Sequence, residues 1–107
     1  MEWQPATINA VKEIVRQDLA KCDHEQLTVF RKYSVEPYLA PIVRYGKHEQ
    51  VVIVARKGNG VIYWEDVEEG FGVSPLGAKG EVLTHCCNQD ELGTALNRWI
   101  EAKKNTT

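Results

Sequence analysis

The chain has 107 residues, 43% hydrophobic and 26% charged, and its 13 Lys and Arg against 15 Asp and Glu leave a net charge of −2. That length fits one domain of ordinary size, and the apolar fraction with so small a net charge excludes a collagenous, low-complexity or disordered chain. There is neither the strong basic balance of wholesale nucleic-acid binding nor an acidic, solvating composition.

Residues 6–22 carry the pattern of an amphipathic helix. Ile8, Val11, Ile14, Val15, Leu19 and Cys22 recur at three- and four-residue spacing, while Lys12, Glu13, Arg16, Gln17 and Asp18 cover the opposite side. Thr7 is the expected N-cap, with Pro5 suited to the entry. Asp23-His24-Glu25-Gln26 then has the form of a capping box and starts a second helix. Leu27, Phe30 and Tyr33 face inward on this reading, although Leu27-Thr28-Val29-Phe30 also suits an extended segment.

The period changes at Val35. Pro37 and Pro41 exclude a helix and favour an extended or edge segment that ends at the turn Tyr45-Gly46-Lys47. Gln50 to Arg56 is rich in β-branched residues and reads as a strand buried on both sides. Lys57-Gly58-Asn59-Gly60 supplies a hairpin turn, and Val61 to Val67 the return strand. Gly70 to Ser74 is a further strand, Leu76 to Gly80 a turn, and Glu81 to Cys86 a last short strand. These connections are too short for parallel crossovers, so the four to five strands form an antiparallel meander.

Asn88-Gln89-Asp90-Glu91 reads as a second capping box with two acids in the first helical turn. Leu92, Ala95, Leu96, Trp99 and Ile100 follow as a helical stripe, Lys103 and Lys104 favour its C-terminal end, and a frayed tail is expected over about 104–107. The fold class is therefore α+β: one domain over residues 1–107, with two N-terminal helices and one C-terminal helix packed on one face of the sheet.

Met1-Glu2-Trp3-Gln4-Pro5 lacks the basic and apolar regions of a signal peptide, and the longest apolar run, Val51 to Ala55, is far below the roughly 18–20 residues that span a bilayer. Cys22, Cys86 and Cys87 are odd in number, and two are adjacent. That pattern suits reduced thiols in a cytoplasm better than a disulfide framework. It also lacks the paired C-x₂-C spacing of a zinc site, and no metal or other cofactor is expected. Gly58-Asn59-Gly60 joins two strands and lacks the phosphate-loop pattern, while Arg44, Lys47, Arg56 and Lys57 suit solvated turns better than nucleic-acid contacts.

One segment departs from the average. Tyr63-Trp64-Glu65-Asp66-Val67-Glu68-Glu69-Gly70-Phe71 holds four carboxylates within five residues, interleaved with aromatics. Strand alternation sets Trp64, Asp66 and Glu68 on one side and Tyr63, Glu65 and Val67 on the other. Residues 1–61 carry nine basic and seven acidic side chains, whereas 62–107 carry four and eight, so the near-neutral total conceals an acidic second part. Asp90 and Glu91 extend the acidic surface if their helix starts near the strand ends. The segment suits either a solvated edge that blocks strand pairing or a recognition surface for a basic partner. Trp64 joins the core instead if its strand face meets the helices.

The stretch Val51 to Ala55, the hairpin, Val61 to Phe71, and Asn88 to Leu92 running on through Trp99-Ile100 resemble small bacterial immunity proteins, the inhibitors of polymorphic and contact-dependent growth-inhibition toxins. The resemblance covers residues 35–101 and lies in size, α+β order and the acidic-aromatic strand. It implies a cytoplasmic, non-enzymatic protein that occludes a basic toxin domain through Glu65, Asp66, Glu68 and Glu69; the acidic-aromatic segment as a contact surface adds Trp64 and Phe71. From charge and the length of its apolar runs the chain is expected to bind neither nucleic acid nor membrane, and it is expected to be a monomer or weak homodimer. The alternatives are a structural or oligomeric domain associating through strand edges and Tyr63/Trp64, and an enzyme using Cys86, Cys87 or a carboxylate.

Overall fold

The computed structural model describes residues 7–44, 46–66, 69–83 and 90–104. Helix α1 (Ile8–Leu19) begins at the expected cap, where Thr7 Oγ1 accepts from the Ala10 N–H at 3.1 Å. It ends three residues before Cys22, because Asp23 already caps α2 (His24–Tyr33) and the chain needs Ala20 to Cys22 to turn. The Asp23 capping box forms in both directions at 2.8 Å, between its carboxylate and the Gln26 N–H and between the Gln26 side chain and the Asp23 N–H. Val29, Phe30 and Tyr33 carry the inner face of α2; Leu27, expected there, is half-buried outside the cluster. Helix α3 (Leu92–Lys104) turns Leu92, Ala95, Leu96 and Trp99 inward, as the stripe requires. It starts at Leu92, so Glu91 precedes the helix instead of standing at its third position, and no acid lies in the first turn. Asn88 and Gln89 lie outside the described residues. The Leu92 N–H is instead held at 2.9 Å by Asp18 Oδ2 of α1, a cap supplied by another helix.

Strands β1 (Ser34–Arg44), β2 (Lys47–Lys57), β3 (Gly60–Glu65) and β4 (Gly70–Pro75) make an antiparallel sheet in chain order. Pro37 falls in the irregular stretch between Ser34 and Tyr38, and Pro41 uses its carbonyl on the outer edge of β1, so neither costs a ladder bond. Gly58, at φ +58, opens the two-residue connection between Lys57 and Gly60, the position where a II′ hairpin turn demands positive φ.

Both faces of the central strands are covered. On the helix side Val52, Val54, Ala55, Ile62 and Phe71 meet Val11, Val15, Leu92, Ala95, Leu96 and Trp99. A bulge between Ile53 and Ala55 brings both Val54 and Ala55 to that side. On the other side Ala40, Ile42, Val51, Ile53, Val61, Tyr63, Leu76 and Val82 form a second cluster. The sheet encloses it by curling: Leu76, just after β4, bridges Val82, and Val82 bridges Ile42 of β1, its N–H bonding the Pro41 carbonyl at 2.8 Å. Of the last strand expected over Glu81 to Cys86, the described residues show Val82 as a closing link with a bridge on each side; residues 84–86 lie outside the described ones.

Candidate functional site

The acidic-aromatic segment does not form one exposed face. Alternation along β3 holds as read: Trp64 lies on the helix side, packed edge-to-face on Phe71 at 5.0 Å between ring centroids. Phe71 is fully buried, and Glu65, on the enclosed side with Tyr63, is only 1% exposed. Glu65 and Phe71 are therefore structural residues, out of reach of a docked partner, and Trp64 is half-buried core. Charged residues at alternate strand positions usually mark a solvated face, but here that face is closed by the curl. Asp66 is half-buried in the turn, Glu69 is exposed, and Glu68 lies outside the described residues. Glu69 holds a left-handed φ of +54, costly for a residue with a Cβ.

The start of α3 does reach the strand ends. The Phe71 N–H bonds the Asp90 carbonyl at 2.8 Å, which sets Asp90 and Glu91 beside β4. Their carboxylates are already engaged, Asp90 with Arg98 at 2.6 Å and Glu91 with Lys21 at 3.5 Å. Of the segment's four acids, Glu69 is the one that stands exposed among the described residues.

A second feature assembles only in three dimensions. Leu39 is 47% exposed, Val43 53% and Leu83 56%. Leu39, Pro41 and Val43 alternate with the buried Ala40 and Ile42, so they line the outer side of β1. The Ile42–Val82 bridge then brings Leu83 to the same seam. Thr7, Ile8 and Asn9 of the α1 start face Leu39 and Pro41 across a groove floored by His48, Glu49 and Gln50. Large exposed apolar side chains gathered in one strip are a recognised mark of protein contact. The sequence carries a trace of it, since residues 39–43 are apolar at every position, more than one buried face needs.

A third feature is a cavity of about 640 Å³ between α2, α3 and the end of β2. Its floor is Val29, Tyr33, Trp99 and Ile100, with Tyr33 and Trp99 packed edge-to-face at 5.7 Å. Lys32 and Lys57 each hold their Nζ 5.4 Å from the Tyr33 ring centre.

Among the described residues no group of three or more His, Cys, Asp and Glu is disposed to hold a metal. Burial, with Asp18, Asp23 and Glu91 adding to it, raises the Cys22 thiol above its usual pKa, and its Sγ donates to the Asp18 carbonyl at 3.4 Å. Cys86 and Cys87 lie outside the described residues. No protein-family model matches the chain, and no curated protein or solved structure is detectably similar to it. No helix among the described residues is long and apolar enough to cross a membrane.

Proposed function

We propose that this is a non-enzymatic binding protein of the immunity-protein kind, cytoplasmic, which inhibits a basic protein domain by covering it. The reading rests on one observation: the described residues gather Leu39, Val43 and Leu83, each about half exposed, at one seam beside β1. The acidic turn supports the same face. Val52 pairs with both Leu39 and Trp64, and from there Leu39 to Val43 and the end of β3 run toward the same end of the sheet, on either side of β2. Apolar anchors there supply affinity, while Asp66 and Glu69 steer a basic surface and set the salt dependence of its approach. The contact thus moves from the strand itself to its turn and to the neighbouring seam.

The test is capture from the source cell followed by titration of the purified partner. A basic protein domain should bind the parent, should be inhibited by it, and should bind the L39D/V43D and E69K variants at least about tenfold more weakly. Thermal unfolding should stay nearly unchanged, since all three side chains face solvent. A captured partner that binds L39D/V43D as tightly as the parent would sink the reading. Mass that rises with concentration, and ceases to in L39D/V43D, would assign the seam to self-association instead.

A further inference from the structure

The cavity between α2 and α3 lies at the far end of the sheet from the proposed contact face, since Lys57 closes the β2–β3 hairpin. Two lysines and one carboxylate, Glu25, are among the residues that line it. Among the described residues neither Lys32 nor Lys57 pairs with a carboxylate; both rest on the Tyr33 ring, so their ammonium groups stand no further apart than twice 5.4 Å. Trp99 is 8% exposed, and its indole N–H makes no hydrogen bond within the described residues. That nitrogen lies 3.9 Å from where a Cβ on Gly60 would stand, beside the hairpin that carries Lys57. Two like charges held over one ring gain from an anion placed between them, and the indole N–H adds a neutral donor.

We propose that this cavity binds a small organic anion, with a carboxylate or phosphate held by Lys32, Lys57 and the Trp99 N–H and an apolar planar body laid on Val29, Tyr33 and Ile100. The volume of about 640 Å³ is that of an ordinary ligand pocket. Lys32 rises from α2 and Lys57 from the end of β2, so the anion would bridge a helix and the sheet, which already meet there where Lys57 lies over the Tyr33 ring. His24 and Glu25 line the cavity from the first turn of α2 and Lys32 from its last, so the anion's place is on the side of Lys32 and Lys57.

Calorimetric titration with naphthoate, naphthyl phosphate, the neutral naphthylmethanol and inorganic phosphate tests this. One or both naphthyl anions should bind, at least about tenfold more tightly than the alcohol or inorganic phosphate, and the ratio between them tells carboxylate from phosphate. The K32A/K57A variant should lose about tenfold or more in affinity for the preferred anion and keep the parent's weak affinity for the alcohol. The Trp99 indole N–H resonance should shift on adding the anion and stay in place with the alcohol. W99F should weaken the anion while K32A/K57A alone leaves unfolding unchanged, which separates lost binding from lost fold. Absence of binding by both anions at millimolar concentration, equal binding of the alcohol, or unchanged affinity in K32A/K57A would overturn the proposal.

Discussion

The enclosed cluster depends on one glycine, and adding a single methyl there tests the account of the curled sheet. Gly72 of β4 stands directly across from Tyr63 of β3. A Cβ at Gly72 would lie 2.8 Å from Tyr63 Cζ and 2.9 Å from both Cε1 and Oη, closer than carbon atoms approach. The ring is fully buried, so it can yield only by displacing its neighbours in the cluster. Overpacking of that kind costs about 1–3 kcal/mol, a fall in Tm of roughly 4–15 °C for a domain this size. Urea unfolding of Gly72→Ala measures it. The same methyl in a Tyr63→Val background, where the ring is gone, should cost close to nothing. Each protein's unfolding slope should match its parent's, so that the midpoints report stability alone. If Gly72→Ala cost less than about 0.5 kcal/mol, or cost the same with and without the ring, the aromatic lying over the glycine would not be what holds this position.

Asp18→Ala removes the cap on the Leu92 N–H and should cost about 1 kcal/mol, with Asp18→Asn, which keeps an acceptor, recovering most of it in thermal unfolding. Glu65→Lys puts an ammonium where the side chain is 1% exposed and should destabilise by about 3 kcal/mol or more, whereas Glu69→Lys on the exposed turn should stay within about 0.5 kcal/mol; equal Tm values for the two would contradict the burial of Glu65. The Cys22 thiol has a higher pKa folded than the ordinary 9.0, so its contribution is complete below the unfolded value and is lost as pH rises through the folded one. Stability should therefore fall more steeply above about pH 9 in the parent than in Cys22→Ser, as followed by urea midpoints across that range.

Local physics made much of the fold readable. Thr7, the Asp23–Gln26 pair and Gly58 act within a few residues of themselves, and each does in the structure what its chemistry requires. The α3 stripe and the two-sided burial of β2 were equally visible, because an apolar period or an unbroken apolar run survives any tertiary arrangement. What escaped is long-range. Asp18 and Leu92 are 74 residues apart, so a cap shared between them leaves no local pattern, and the nearby acids at Asp90 and Glu91 imitate one. The Val82 link likewise rests on one residue meeting Ile42, forty residues earlier, and Leu76, and a run of short strands does not announce that it curls back on its own first edge. That closure turns the face of Glu65 from solvent to interior, and the placing of the contact surface shifts with it.

The same closure decides where binding chemistry can sit in so small a protein. With helices over one face of β2 and β3 and the curl over the other, the middle of the sheet is spent on the core, and among the described residues its two ends and the outer side of β1 remain free. At one end the edge strand outruns the helices and leaves Leu39, Pro41 and Val43 uncovered beside the acidic turn. At the other, α2, α3 and the end of β2 leave a cavity whose two lysines make no ion pair within the described residues. The first surface is broad, apolar and rimmed by acid, suited to another protein; the second is concave, aromatic and cationic, suited to a small anion. The two do not share a residue, and the filled core of β2 and β3 separates them. Occupation of one has no direct contact through which to alter the other, and any coupling between them would have to pass through the packing of that core.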